Sequence, residues 1–501
     1  MMTRNFRQVC FAAALAVTGS AQAATTFNPA DTSVQMFHWR WPDVATECTQ
    51  WLGPKGFGGV QVSPPEASAK LGHWYDMYQP VNYTVLNSNM GTEAQFQAMI
   101  NTCHAAHVRV YADVVANHMA GGSGTATDGS TWNSGTLTYP YFSAADFHPA
   151  CDIQSSDYSN NRHNVIFCRL SGMPDLMTDG SYVRGQIENY LTKLLNMGVD
   201  GFRFDAAKWM QPVDLQAFMN GIAKTTAAGE KIWVAQEVSE DGTVVRSDYF
   251  PSGTINEFLY PGLMQSMFRK LNGTSISQIQ TYMGTPGNWG GTWGFVDSSN
   301  ATVFVNNWDT ERDGASLVAS NFVPGVTNDT NGTKAYDLAN ILMLAWPYGN
   351  VQLHSGFRFT DINQDAPSAS PYSGGNPQIN VNWDFIHRWS DLANMVAFRS
   401  ATSGQGISYF TRGTVHQIAF SRGAKGFVAI NNDTVAWNAT IQTGLPAGTY
   451  CNVVHGLLNS GKTACSSDSV IVSSKGTVTV SIPANNGSSV TAIALYVGQK
   501  L

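Results

Sequence analysis

The segment Gly201–Trp209 has the sequence Gly-Phe-Arg-Phe-Asp-Ala-Ala-Lys-Trp, in which a strand-like stretch ends in charged residues. The same pattern recurs along the chain and decides the fold class. Phe202 and Phe204 are apolar and favour a buried strand, while Arg203 and Asp205 add two opposite charges. Because side chains alternate along a strand, Arg203 and Asp205 point to the same face. A carboxylate beside a guanidinium stays ionised below neutral pH, which suits a nucleophile. A structural ion pair at a strand end would give the same pattern.

Other apolar runs also end in polar residues. Three of them are Arg109–His118, Lys231–Glu237 and Ala301–Asp309. In a barrel of parallel strands the active site lies at the carboxyl ends of the strands. Eight strand-like runs alternate with helical runs, and the chain therefore predicts an α/β fold, a (β/α)₈ TIM barrel.

Helical spacing and capping residues predict the segments between the strands. Thr92 is the expected N-cap of a helix that runs to Cys103. A short helical stretch over Cys48–Leu52 is expected to end at Gly53 and Pro54. Further helices are predicted over Tyr182–Leu195, Pro212–Lys224, Asp337–Trp346 and Asp384–Arg399.

The alternation is broken in two places. Residues 119–174 are too long for a structureless loop in a compact domain, so we predict an inserted domain B. From about residue 405, short strands separated by Gly and Asn turns predict a C-terminal all-β sandwich domain. The chain is thus divided into a signal peptide (1–23), the first part of the barrel (24–118), the insert (119–174), the second part of the barrel (175–404) and the C-terminal domain (405–501).

The N-terminal residues have the pattern of a secretory signal peptide: two arginines, an apolar run and Ala-Gln-Ala at positions 21–23. We expect cleavage after Ala23 and a secreted, extracellular protein. Removing residues 1–23 leaves 26 basic against 35 acidic residues, a net charge of −9, which argues against nucleic acid as a partner. No run is apolar for long enough to span a bilayer, so we expect no membrane partner, and we expect a monomer.

Six cysteines follow the predicted signal peptide. An even number in a secreted chain suggests three disulfides, with fifteen possible connectivities, and pairing of neighbours in sequence is the simplest choice. The six are Cys48, Cys103, Cys151, Cys168, Cys451 and Cys465.

The acids at three strand ends are Asp205, Glu237 and Asp309. Two carboxyl groups that flank a glycosidic bond can cleave it by double displacement, one as nucleophile and the other as acid. From the residues alone, a glycosidase and another barrel chemistry remain equally open. The aromatic group of Trp74, Tyr75 and Tyr78 fits either a sugar-stacking platform or a local packing cluster.

Asn117 and Asp175 offer hard oxygen ligands that suit Ca²⁺, and Asp175 lies where the chain returns from the insert. Ordinary turn-forming Asn and Asp residues would have the same sequence pattern.

Four motifs together resemble the alpha-amylase family of glycoside hydrolases. They are Asp113–His118, Gly201–Lys208, Val234–Val238 and Phe304–Asp309, and they occur in the family's order. The segment from Gly53 to Pro65 is similar to animal-type amylases and their bacterial relatives. The resemblance implies a barrel, domain B, a C-terminal β-sandwich and disulfides Cys48–Cys103, Cys151–Cys168 and Cys451–Cys465.

The resemblance also implies roles for individual residues. Asp205 would be the nucleophile, Glu237 the general acid/base and Asp309 the transition-state stabiliser. Calcium would be bound by Asn117, Asp175 and the carbonyls of Ile166 and Trp209. The residues expected to contact substrate are Trp74, Tyr75, Tyr78, Gln79, His118, Arg203, Lys208 and Trp308.

Three positions depart from the family pattern. Trp308 and Trp209 stand where the family usually has His, and the first change removes a hydrogen-bond donor to the reacting sugar. Animal-type enzymes bind chloride through two arginines and an asparagine; Arg203 and Asn307 match, but the third position is Gln352. A neutral amide binds an anion poorly, so no chloride requirement is expected.

These patterns predict a secreted, calcium-dependent alpha-amylase that cleaves internal alpha-1,4-glucosidic bonds in starch-like glucans with retention of configuration. The change at Trp308 favours, as an alternative, a transglycosylase or a malto-oligosaccharide-specific hydrolase. A non-catalytic glucan-binding protein is a further alternative, against which the three retained acids argue.

Overall fold

The computed structural model describes residues 26–29, 31–319 and 334–501. The predicted signal peptide lies outside these described residues. Within them, no helix is both long enough and apolar enough to cross a membrane.

Eight parallel strands form a closed barrel, which confirms the predicted TIM-barrel fold. Each strand pairs with the next one along the chain, and the eighth closes the barrel against the first. The strands consist mainly of buried apolar residues, as expected where helices cover a parallel sheet. They are β1 Ser33–Met36, β2 Gly59–Val62, β3 Arg109–Val115, β4 Gly201–Asp205, β5 Trp233–Gln236, β6 Thr254–Asn256, β7 Ala301–Val303 and β8 Asn350–Ser355.

Helices follow most of the barrel strands. The longer ones are Glu93–Ala105, Ser181–Met197, Pro212–Gly221, Leu259–Phe268, Ala335–Ala345 and Ser390–Ala401. Thr92 caps the first of these, since its hydroxyl accepts from the Gln95 backbone N–H at 3.3 Å and Gln95 accepts from the Thr92 N–H at 2.9 Å.

The predicted end of the first helical stretch was wrong. The chain is helical from Trp41 to Lys55, with a π-helical stretch over Cys48–Leu52, and it passes through Gly53 and Pro54. The helix ends instead at Gly56, whose φ of 80° lies in the left-handed region that glycine adopts without strain. The predicted helix from Asp384 also begins later, at Ser390, after a 3₁₀ turn over Ile386–Arg388.

Between β3 and the helix Ser181–Met197 the chain leaves the barrel pattern. It forms a two-stranded hairpin of Ser123–Thr125 and Thr131–Asn133, and the short helices Asp157–Asn160 and Arg162–Phe167. A backbone bridge between His118 and Asp175 joins the two ends of this excursion. The excursion therefore begins and ends beside the carboxyl end of β3.

The C-terminal region consists of two four-stranded sheets with antiparallel pairing, as an all-β sandwich requires. Phe427 and Leu495 from one sheet share an apolar cluster with Trp437 and Val480 from the other. The first sheet holds β9 Ile407–Arg412, β10 Gln417–Arg422, β11 Gly426–Asn431 and β16 Ala492–Tyr496. The second holds β12 Trp437–Gln442, β13 Gly448–Cys451, β14 Ser469–Val472 and β15 Thr477–Ile482.

Three disulfides join neighbouring cysteines in sequence, as the family resemblance implies. The first ties the helical segment after β1 to the helix before β3, and the second lies in the excursion. The third lies in the C-terminal sandwich. They are Cys48–Cys103, Cys151–Cys168 and Cys451–Cys465.

Candidate active site

Arg203 lies on β4 with its side chain inside the barrel, where only 2% of it is exposed. Its Nη1 lies 3.0 Å from Asp113 and 2.6 Å from Asp205, and its Nη2 lies 3.1 Å from Glu237. Burial opposes the charged guanidinium, but the surrounding carboxylates raise the pKa of Arg203 well above its ordinary value. One buried cation therefore holds three acidic side chains together.

The turn after β4 brings Asp205 and Glu237 to the same place. Ala206 has a φ of 50°, which is uncommon for a residue with a Cβ and turns the chain sharply after Asp205. Its N–H donates to Glu237 Oε2 at 2.7 Å. The backbone of Glu237 donates to the Phe204 carbonyl and accepts from the Lys208 N–H, both at 2.9 Å.

The two carboxyl groups differ in their proton affinity. Burial raises the pKa of Asp205 to about 6, and the Arg203 charge opposes that rise. Burial also raises the pKa of Glu237, and the negative charge of Asp205 adds to the rise. A hydrogen bond between the pair lowers the pKa of Asp205 and raises that of Glu237. These directions favour the protonated form of Glu237 and the ionised form of Asp205.

Asp309 follows β7 and joins this group. Asn307 shapes its turn by accepting from the backbone N–H groups of Asp309 at 3.2 Å and Thr310 at 2.9 Å. Burial raises the pKa of Asp309 well above its ordinary value, and the charge of Glu237 contributes in the same direction. Three carboxyl groups thus meet at the carboxyl ends of β4, β5 and β7.

A cavity of about 540 Å³ opens above these acids. It brings together most of the residues predicted from the sequence. Its lining consists of Trp74, Tyr75, Tyr78, Gln79, His118, Gly121, Leu170, Ser171, Met173, Asp205, Ala206, Trp209, Glu237, Trp308 and Asp309. Aromatic rings and a few convergent polar groups are the usual composition of a small-molecule site.

Trp308 forms part of an aromatic stack in the wall of the cavity. Its ring lies parallel to Phe37, with centroids 4.9 Å apart, and near-parallel to Tyr78 at 6.0 Å. The Arg203 guanidinium carbon lies 5.1 Å from the Trp308 ring centroid, within range of a cation–π contact. The Tyr78 hydroxyl in turn donates to Asp113 at 2.8 Å. The stack therefore supports the residues that hold the acids.

Two predicted substrate contacts have their own partners. His118 Nε2 lies 2.9 Å from the Tyr78 carbonyl, and burial lowers the pKa of His118 to about 4, so the imidazole is neutral. The Lys208 ammonium lies 2.8 Å from Asp241 and 3.2 Å from Ser239. His118 lines the cavity, whereas Lys208 is directed to Asp241; its contact with substrate stays a prediction.

The predicted calcium ligands lie in segments that contact one another. The bridge between His118 and Asp175, and the bond from the Leu176 N–H to the Asn117 carbonyl at 2.9 Å, bring Asn117 beside Asp175. Arg162, in the helix that contains Ile166, donates to the Lys208 carbonyl at 2.8 Å, next to Trp209. Burial raises the pKa of Asp175 to about 7. A carboxylate, an amide and two carbonyls are oxygen donors that fit Ca²⁺.

Among the described residues, no group of three or more His, Cys, Asp or Glu side chains could hold a metal ion. The calcium donor set includes an amide and two carbonyls, which are donors of other kinds.

Gln352 lies on β8 in a network of neutral side chains. Its amide nitrogen donates to Gln61 at 3.0 Å and to Ser33 at 3.2 Å, and its carbonyl accepts from Gln35 at 2.9 Å. This position carries no positive charge.

Sequence reasoning missed Asp113 and Phe37 as parts of the site. Asp113 is fully buried and bridges Arg203 and Tyr78, and burial raises its pKa. An isolated carboxylate inside the apolar run of β3 was the signal for it. Phe37 follows β1 and shows no sequence feature that separates it from other core aromatics.

A (β/α)₈ barrel that gathers three carboxyl groups and aromatic rings at the carboxyl ends of its strands has the architecture and acid groups that a glycoside hydrolase needs. The sequence profile described as alpha amylase, catalytic domain, matches residues 49–226, and that of the alpha amylase C-terminal all-beta domain matches residues 411–492. The chain belongs to the alpha-amylase family.

Individual relatives cover nearly the whole chain. An alpha-amylase from Pecten maximus is 38% identical, with 96% of each chain aligned. One from Streptomyces violaceus is 38% identical over 97% of this chain and 77% of its own length. The solved structure of wild-type alpha-amylase I from Eisenia fetida has a TM-score of 0.82 and 33% identity, covering 95% of this chain and 99% of that one.

Proposed function

We propose that this enzyme hydrolyses internal alpha-1,4-glucosidic bonds in starch, glycogen and related glucans with retention of configuration. The contact of one guanidinium with both Asp205 and Glu237 carries the retaining mechanism, because it holds the two carboxyl groups close together. Membership of the alpha-amylase family supports the substrate class. Retaining glycosidases need a short separation, about 5 Å, whereas inverting ones leave room for a water.

In the proposed reaction Glu237 protonates the glycosidic oxygen while Asp205 attacks the anomeric carbon. Glu237 is suited to the acid role because burial and the Asp205 charge raise its pKa. Water then cleaves the covalent intermediate, with Glu237 now acting as base. Asp309 would accept hydrogen bonds from the reacting sugar and stabilise the transition state, and Arg203 would keep Asp205 in line.

The test is the first product released from amylose. Retention predicts that the new reducing ends appear as the α-anomer, which proton NMR detects before mutarotation. Endo-cleavage predicts a broad ladder of oligosaccharides from the earliest time. Release of the β-anomer would contradict the assignment of Asp205 as nucleophile.

A transglycosylase or malto-oligosaccharide-specific activity is the second candidate. The observation that favours it is the parallel stack of Trp308 on Phe37, which puts an apolar ring where the family usually has His. Products longer than the supplied oligosaccharide, in a reaction with maltoheptaose as the substrate, would favour transfer over hydrolysis.

We propose that Ca²⁺ is held by the side chains of Asn117 and Asp175 and by the carbonyls of Ile166 and Trp209. Asp175 already lies 2.6 Å from His148 Nδ1, so the ion would add a second positive charge beside this buried carboxylate. It would also hold the excursion against the barrel. At a calcium concentration one hundred times the Kd, binding adds about 2.7 kcal/mol to the free energy of unfolding. Excess chelator should therefore lower the Tm, and an unchanged Tm with no metal in the purified protein would contradict the proposal.

We further propose that the protein is secreted. Three disulfides support this, since such bonds persist in oxidising compartments. Recovery of activity in the culture medium of an expressing host, with Ala24 as the N-terminal residue, is the test.

A further inference from the structure

A second concave surface lies on the excursion between β3 and the helix Ser181–Met197. We call it the tyrosine groove; it has a volume of about 500 Å³. Its principal lining residues are Tyr139, Tyr141, Phe142, Ser143, Asp146 and Tyr182. Tyr141 is 47% exposed and Tyr182 is 49% exposed, although both side chains are large and mostly apolar. Two half-exposed tyrosines therefore line one concave surface, where a ligand can reach their rings.

The ring of Tyr182 is held in a fixed position. Its hydroxyl donates to the Tyr141 carbonyl at 2.8 Å, and its ring meets Phe142 edge-on at 6.3 Å between centroids. Phe142 is buried against Tyr83 and Phe147, so the base of the groove is a packed aromatic cluster. A ring that is already ordered loses little entropy when a ligand stacks on it.

Polar groups stand beside these rings. The hydroxyl of Ser143 lies 3.1 Å from Asp146 Oδ2, which also accepts from the Ser143 N–H at 2.8 Å. Exposed aromatic rings beside hydroxyl and carboxylate oxygens suit a pyranose, which has an apolar C–H face and a rim of hydroxyls.

The tyrosine groove is connected to the wall of the catalytic cavity. The hydroxyl of Tyr139, which lines the groove, donates to the carbonyl of Ala120 at 2.6 Å. The next residue, Gly121, lines the cavity above the three acids. A polymeric glucan is far longer than a cavity of about 540 Å³, so a bound chain must continue over the protein surface.

We propose that the tyrosine groove is a second binding site for an alpha-glucan chain, with Tyr141 and Tyr182 as its stacking platforms. The inference rests on the proposed function, because it takes the same polymer as the ligand. The site would hold starch on the surface near the catalytic cavity, and cleavage would take place inside the cavity.

Adsorption to granular starch tests the proposal in the Glu237→Gln background, where turnover does not consume the ligand. Replacing Tyr141 and Tyr182 together by Ala should weaken adsorption roughly threefold to tenfold, the size expected for lost aromatic contacts. Tyr141→Phe keeps the ring and should retain adsorption. Tyr409→Ala is the matched control, since Tyr409 is 51% exposed in the C-terminal sheet and should leave adsorption unchanged.

Equal adsorption by the double variant and its parent, at equal Tm, would overturn the proposal. So would an equal loss caused by Tyr409→Ala. Gel filtration of the same proteins gives their oligomeric state. A dimer in the parent that is absent in the double variant would mean that the groove binds a second copy of the chain, which would overturn the proposal. Failure of the proposed reaction shows separately, as an absence of reducing sugar from starch with the unmutated enzyme.

Discussion

The inside of the barrel contains two polar networks that differ in charge. Around Arg203, three carboxyl groups share one guanidinium at the carboxyl ends of the strands. Around Gln352, neutral amides bond to one another in a chain that includes Gln35 and Gln61. Gln61 pairs with Tyr111, two residues before Asp113 on β3, so the neutral network lies about one layer deeper.

The difference shows what burial does to each kind of group. Neutral amides need only hydrogen-bond partners, and the Gln352 network supplies them between strands. Buried carboxyl groups need a cation, and one cation among three leaves their pKa values raised. Perturbed pKa values at the accessible end of the barrel mark the reactive end, and the deeper network contributes to the packing of the barrel.

The largest effect is expected from Glu237→Gln. The amide is nearly isosteric but has no acidic proton to give, so the rate on starch should fall at least about a hundredfold. The Tm should change little. Glu230→Gln is the control, because Glu230 pairs with Arg109 ahead of β5, at the opposite end of the barrel. Near-normal turnover by Glu237→Gln would remove Glu237 from its proposed role.

Arg203→Met and Gln352→Met compare the two networks directly. Removing the cation leaves buried carboxylates uncompensated, which costs about 3–5 kcal/mol of the free energy of unfolding. Removing the amide leaves neutral groups without partners, at roughly 1–3 kcal/mol. Urea denaturation at pH 7 measures both. Equal losses of unfolding free energy would mean that charge does not distinguish the networks. Full activity of the Arg203→Met variant would show that the Arg203 side chain does not position Asp205.

Sequence patterns predicted the barrel better than the C-terminal sandwich. Barrel strands are short apolar runs that end in polar residues, and all eight were found. In the sandwich, apolar runs predicted the strands at Ile407–Phe410, Gln417–Phe420, Gly426–Ile430, Val470–Val472 and Ala492–Val497. The strands Trp437–Gln442, Gly448–Cys451 and Thr477–Ile482 were missed, because none of them contains a continuous apolar run. The site residues that were predicted, Asp205, Glu237 and Asp309, follow apolar runs and could be recognised there. Asp113 was missed because it lies inside a strand, and its role depends on contacts with Arg203 and Tyr78 from distant segments.

The pH dependence of stability should distinguish the buried charged network from carboxyl groups on the surface. Because burial raises the pKa of Asp205 from 3.8 to about 6, the folded state binds a proton more tightly than the unfolded state. This contribution is fully present below about pH 4 and is lost as the pH rises through 6. Each pH unit corresponds to about 1.4 kcal/mol at most. Asp205→Asn should therefore lose less stability than the parent between pH 4 and 7.

Denaturation curves at each pH provide the measurement, and Asp297→Asn is the control. Hydrogen bonds from Ser299 lower the pKa of Asp297. Replacing Asp297 should therefore not reduce the loss of stability between pH 4 and 7. Identical pH profiles for Asp205→Asn and the parent would mean that Asp205 titrates in the native protein as it does in the unfolded chain.

The smallest effect is expected from chloride. Binding an anion inside the barrel needs enough positive charge to offset its desolvation. Arg203 supplies one charge, which three carboxylates already share, and Gln352 supplies none. Activity in chloride should therefore match activity in a non-binding anion at equal ionic strength.

Gln352→Arg adds the missing charge and should create anion sensitivity, with the pH optimum moving upward because a bound anion raises the pKa of Glu237 further. The measurement is a pH–rate profile of both proteins in each salt. Activation of the unmutated enzyme severalfold by millimolar chloride would show that Arg203 and a neutral amide suffice, and the contrast between the two networks would then not extend to anion binding.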